Sequence, residues 1–167
     1  MKNITAAVVI MFIAFNATAQ QRFFIGSDGD YSILINQNVT PKSLTPETGG
    51  YVDYYILREN NEFGFLLSIR KVGLASDPNF VFQEGFKKSF LDECECELLE
   101  SKKKNFRNFD GMQMKIKTAL EGKSVKGYTV GAISSGILFN INFLALESKF
   151  DSLTPEFEKI MNTLVLR

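Results

Sequence analysis

Four strand-like runs follow one another between residues 96 and 146, and short joints link each to the next. They read CELLESKKKNF (96–106), GMQMKIKTAL (111–120), KSVKGYTVGAIS (123–134) and GILFNINFLAL (136–146). Asn108, Asp110 and Gly111 mark the first joint, Glu121-Gly122 the second and Ser134-Ser135-Gly136 the third, all turn-forming residues. Joints this short connect antiparallel neighbours, since a parallel pair needs a long crossover. In the second run Met112, Met114 and Ile116 alternate with Gln113, Lys115 and Lys117, which gives one dry and one wet face. The fourth run is apolar at nearly every residue, as a central strand covered on both sides is.

The preceding segment adds more strands. RFFIG (22–26) and DYSILIN (30–36) flank the turn signal Ser27-Asp28-Gly29. YVDYYILRE (51–59) and EFGFLLSIRKV (62–72) flank Asn60-Asn61, a pair that suits a tight hairpin. Between these two hairpins NQNVTPKSLTPETGG (36–50), with two prolines and a glycine pair, reads as a long loop. Two helices complete the pattern. Asp77 caps the first and Pro78 sits in its first turn; Phe82, Phe86, Phe90 and Cys94 then share one stripe at a spacing of four, so the helix is expected over 78–93. Gly85 costs it about 1 kcal/mol relative to alanine, or lets it pack closely on a sheet. In the second, Thr154 caps, Pro155 starts, and Leu153, Phe157, Ile160, Met161 and Leu164 form the core stripe. The expected fold is α+β: an antiparallel sheet of about six to eight strands with two helices packed on it.

MKNITAAVVIMFIAFNATAQ (1–20) has the order of a secretory signal peptide: Lys2, an apolar run from Ala6 to Phe15, then Ala17-Thr18-Ala19. The apolar run falls short of the roughly 20 residues a bilayer span needs. Cleavage is expected after Ala19, leaving one domain over 20–167, exported to the periplasm or beyond and without a membrane span. The loss of Lys2 takes the formal charge from zero to minus one, a balance that suggests neither nucleic acid nor an anionic membrane as partner. The chain has no histidine and no tryptophan, so the commonest general base and zinc ligand is missing.

The order of hairpin strands, loop, two long strands, helix, four-stranded meander and closing helix resembles the PsbP-like superfamily, which includes the photosystem II extrinsic subunit and DcrB-type envelope proteins. GDYSILINQNVTP is similar to the family's opening strand and proline loop, and SLTPEFEKIMNTLVL to its closing helix. The tryptophan often found after that opening strand is absent, and the metal-binding histidines of some members have no counterpart. The resemblance implies a binding or assembly module of the cell envelope without enzymatic activity, and it transfers no functional residue.

Several stretches invite chemistry. DECECE (92–97) holds both cysteines of the chain. As soft-metal ligands Cys94 and Cys96 would need Met112 and Met114, yet a hairpin closed around 107–110 sets Met114 opposite Lys103 or Lys104, more than about 20 Å from Cys96. A direct Cys94–Cys96 disulfide needs a special local geometry. The reading favoured is two reduced thiols, with Cys94 ending the helix stripe, Cys96 opening the next strand's inward face with Leu98, and Glu93, Glu95 and Glu97 in water. SKKKNFR (101–107) reads as an exposed strand protected by lysines rather than an anion-binding patch. SDGD (27–30) lacks the further ligands of a calcium loop and reads as a turn. The many aromatic residues, YVDYY among them, are core, with an apolar ligand cleft as the alternative. No carboxylate pair at a defined spacing, nucleophile elbow or phosphate loop is present, so neither an enzyme nor a cofactor is expected, a carboxylate-based hydrolase being the remaining catalytic alternative. The function expected is an exported binding or assembly module for an envelope protein, with a carrier of a small apolar ligand as the alternative. The binding residues are expected on the 36–50 loop: Asn38, Thr40, Lys42, Thr45 and Glu47.

Overall fold

The computed structural model describes residues 21–36, 39–45, 50–59, 62–120 and 122–167. The proposed signal segment and the Asn60-Asn61 turn lie outside them. The strands are β1 (Gln21–Ile25), β2 (Tyr31–Asn36), β3 (Val39–Leu44), β4 (Tyr51–Glu59), β5 (Glu62–Leu74), β6 (Glu97–Asn105), β7 (Asp110–Leu120), β8 (Lys123–Ser134), β9 (Ile137–Leu146) and β10 (Val165–Leu166). The helices are α1 (Glu84–Cys94) and α2 (Phe150–Met161). The strands form a seven-stranded antiparallel sheet in the order β3-β4-β5-β9-β8-β7-β6 and a three-stranded sheet β1-β2-β10. This is the expected α+β sandwich.

Side-chain alternation gives the main sheet two different faces. Residues 139, 141 and 143 of β9 point toward α2 and β2, where Phe143 stacks on Phe157 at 4.7 Å and meets Phe65 edge-on at 4.8 Å. Tyr31, Ile33 and Ile35 of β2 are fully buried in this same core. The opposite face holds a smaller cluster of Val81, Phe86, Met114, Ile116 and Leu138 under α1. Gly131 of β8 makes that seat: a Cβ there would meet the Phe86 ring at 2.5 Å.

Four details differ from the sequence reading. Segment 36–50 is not one loop: Val39–Leu44 pairs antiparallel with β4 from Val39 opposite Leu57 to Leu44 opposite Val52. Pro41 is tolerated because β3 is an edge strand. The helix expected over 78–93 is split into a 3-10 turn at Phe80–Phe82 and α1, with Gln83 extended between them (φ −84°, ψ 147°). Asp77 caps neither helix: Asn79 and Gln83 take the two cap positions without a side-chain cap bond, while Asp77 accepts from the Asn79 amide at 2.8 Å and from the Gln83 side chain at 2.6 Å in the turn before them. Helix α2 begins at Phe150 rather than Pro155, and Thr154 donates back to the Phe150 carbonyl at 3.0 Å instead of capping. Burial of Phe150 among Tyr128, Phe143 and Phe157 outweighs the cap signal. Finally, Val165 and Leu166 leave the helix direction and pair with Ser32 and Tyr31 as β10.

Candidate functional site

A groove of about 280 Å³ opens between α1 and the sheet. Strand β5 contributes Arg70 and Val72, β9 contributes Leu138 and Asn140, and α1 contributes Phe86, Ser89, Phe90 and Glu93, with Phe80 closing one end. Phe86 anchors α1 over Gly131, and the groove runs beside it along β5 and β9. At the groove's end β5 carries a bulge: Lys71 faces Phe139 and Gly73 faces Leu138, so Val72 is the extra residue. Bulges of this kind re-aim side chains and are over-represented near sites.

Aromatic and aliphatic groups wall the groove, and its floor is polar. Arg70 and Asn140 are direct cross-strand partners, which brings their Cβ atoms within about 4.5–5.5 Å on one face. Next along the same face, Thr129 donates to Asn142 at 2.8 Å and Asn142 donates to Ser68 at 3.3 Å. Asn142 is thus satisfied and Asn140 is not. Asn140 is 9% exposed, and its side-chain oxygen is buried without a hydrogen-bond partner. Neither Arg70 nor Glu93 makes an ion pair with any described residue. Val72, Leu74 and Phe80 are exposed apolar side chains around this end of β5.

A second polar cluster lies where the small sheet meets the large one. The buried Asp53 carboxylate accepts from the Ser27 amide (3.1 Å), the Ser27 hydroxyl (2.6 Å), the Ser43 hydroxyl (2.5 Å) and the Tyr31 hydroxyl (2.7 Å). The Tyr31 and Tyr55 hydroxyls are 2.6 Å apart. Burial, and then the neighbouring hydroxyl and carboxylate, push Tyr31 far above the ordinary phenol range, and burial pushes Tyr55 up to about 12. Tyr51 is raised too, first by burial and then by Asp30 and Asp53. The cluster fastens the 26–30 turn to β4. In that turn Lys71 lies 2.7 Å from Asp30 and 3.2 Å from Asp28, an ammonium where a calcium loop would hold its ion.

Cys94 and Cys96 are joined as a disulfide, which differs from the expectation of two thiols. The reason lies in the residue between them. Glu95 caps α1 in the left-handed conformation (φ 50°, ψ 41°) and folds the chain so that the two Cα atoms stand 5.1 Å apart, within disulfide range. The register of the following hairpin sets Met114 opposite Ser101 and Met112 opposite Lys103, two to three residues away from the expected pairing. Of the expected partner-binding residues, Thr40 and Lys42 lie exposed on β3, Thr45 follows it, and Asn38 and Glu47 lie outside the described residues. The basic run is internally engaged: Lys102 pairs with Glu100, Lys104 with Glu158, and Lys103 sits over the Phe82 ring. Sequence reasoning missed Arg70 and Asn140, although polar residues inside the apolar runs FLLSIRKV and ILFNINFLAL were the visible signal.

No protein-family profile matches the sequence, and no curated protein does. Solved structures do. The solution structure of cyanobacterial PsbP (CyanoP) from Synechocystis superposes with a TM-score of 0.65 over 92% of this chain and 96% of that one, at 12% identity. The fold is PsbP-like. A Bacteroides thetaiotaomicron crystal structure shares the PsbP-like fold at TM-score 0.59 and 16% identity, over 89% of this chain but 49% of its own length. The Ran-binding protein Mog1p of Saccharomyces cerevisiae matches it at 0.58 and 8% identity, over 89% of this chain and 96% of its own. Among the described residues no helix is long and apolar enough to cross a membrane.

Proposed function

We propose that this chain is an exported, non-catalytic binding module that engages a protein partner in the cell envelope through the groove between α1 and strands β5 and β9. One observation carries this reading: the buried, unpartnered oxygen of Asn140 on the groove floor. Buried polar atoms in folded proteins are almost always paired, and one left open costs about 1–3 kcal/mol. A partner that supplies a donor recovers that cost on binding. The exposed Val72, Leu74 and Phe80 supply an apolar rim, the usual surround of a docking site. The segment at 1–19 supports export, and the likeness to PsbP and to a Ran-binding protein supports a binding role. The buried carboxylate of Asp53 is held by four donors, and its tyrosine neighbours are shifted upward, away from neutral pH, so this cluster favours scaffolding over acid–base work.

The groove's volume favours a protein over a small apolar ligand. At about 280 Å³ it is at the lower limit of pockets that enclose drug-sized molecules. It suits the side chains of a docked segment better than a carried molecule. A photoreactive residue at Val72 or Ser89 tests the reading in the native envelope. Protein adducts are expected from both positions and not from Glu158 on α2. Adducts from Lys42 but not from the groove would return the site to segment 36–50, and adducts of small molecules alone would favour the carrier.

A further inference from the structure

Resting on that reading, we infer that the groove recognises an extended peptide segment in which an aspartate or glutamate side chain adjoins a large apolar residue. Asn140 sets the first requirement. Its amide presents one acceptor and two donors, and none of them is engaged. Asn140 lines the groove, and a turn of its side chain brings the enclosed amide to the groove surface, where a backbone peptide group is its complement: the N–H answers the oxygen and the C=O answers the NH2. A bare alkyl carboxylate has no donor and would leave the Asn140 oxygen as it is. The second requirement comes from Arg70, which is directly opposite Asn140 on β5. An unpaired guanidinium is a planar fork that matches a carboxylate, so the acid of the segment sits beside the peptide group that Asn140 holds.

The walls set the rest. Phe80 and Phe86 meet edge-on at 5.8 Å, and together with Phe90 and Leu138 they offer an apolar slot next to the Arg70–Asn140 floor. Glu93 lines the α1 side and carries the opposite charge to Arg70. It repels a second acid there and sets the direction of the segment, with the carboxylate toward β5 and the apolar residue toward the helix. Charge and hydrogen-bond complementarity thus point to the same occupant.

Paired peptides test this directly. Acetyl-Ala-Phe-Asp-Ala-amide and its Phe-Asn counterpart are titrated into the 15N-labelled protein, and the Asn140 side-chain and Arg70 Nε–H resonances are followed, with laurate as a third ligand. The Asp peptide is expected to shift both resonances saturably and to bind about fivefold more tightly than the Asn peptide, the scale of a partly exposed charge pair. R70Q should erase that preference. N140D, which supplies Arg70 with a carboxylate from the neighbouring strand, should erase it as well, with the spectrum showing that each variant is folded. Equal binding of the two peptides at the groove, or a preference that survives both variants, overturns the acid assignment and leaves the groove reading standing. Tighter binding of Ala-Ala-Phe with a free C-terminus also overturns the internal-acid assignment. Binding of laurate without either peptide overturns peptide recognition. If none of these ligands moves a groove resonance, the groove reading itself falls.

Discussion

At the scale of single residues, the chain places polar groups on strand faces that are otherwise dry, and some of them, Asp53 first, are fully satisfied. Asp53 shares its face with Tyr51 and Tyr55, and four donors from three segments converge on it. Asp53→Ala would leave those donors without their acceptor and is expected to cost about 3 kcal/mol in urea unfolding, with Asp53→Asn costing less. Losses no larger than that of Ser43→Ala, which removes one donor, would contradict the cluster's role. This part of the molecule was half legible. Parity along YVDYY puts residue 53 inward, but which partners await a buried acid depends on the 26–30 turn and on β3, which are distant in sequence. Arg70 and Asn140 were hidden for a similar reason. Their meeting depends on the pairing of β5 with β9, and no local pattern specifies which strands become neighbours.

At the scale of elements, α1 is the piece that shapes the groove, and Gly131 is what allows it to sit down. Gly131→Val would force the Phe86 ring away and is expected to cost about 1–3 kcal/mol. Hydrogen exchange should speed up in α1 and stay unchanged in α2; uniform change across both helices would argue against a local seat. The disulfide at the end of α1 gives another test. Intact mass without reductant should fall about two daltons below the dithiol value. Reduction should loosen the last turn of α1 but move global stability little, because a loop closed across one residue removes only about 1.5 kcal/mol of unfolded-chain entropy. Unchanged exchange at residues 91–96 on reduction would count against that coupling. Periodicity located the strong elements, including the four-stranded meander and both helices. It failed where local signals and tertiary packing compete: Pro41 in an edge strand, Phe150 drawn into the core ahead of a Thr-Pro start, and Glu95 in a conformation usually left to glycine.

At the scale of the whole molecule, three buried tyrosines join the two sheets, and they tie stability to alkaline pH. In the folded protein Tyr31, Tyr51 and Tyr55 are all raised above their ordinary value of 10.0, Tyr55 to about 12. Their contribution is therefore complete below pH 10. It declines as the pH climbs from there through about 12, because the unfolded chain ionises first. Urea midpoints should hold steady from about pH 7 to 9 and fall above about pH 10, and Tyr55→Phe should flatten part of that fall. A midpoint independent of pH over that range would refute the assignment.

The pairing of β10 with β2 has a further consequence, and it concerns timing. Strand β2 ends at Asn36, but its outer neighbour comes from Val165–Leu166, and the Arg167 amide closes onto the Asp30 carbonyl at 2.8 Å. A chain leaving the ribosome cannot finish this small sheet until about 130 further residues have followed β2, so the first hairpin waits for β10. Closure of the small sheet is thus a long-range event, separated in time from the formation of its first hairpin, whereas the strands of the large sheet are all made before β10.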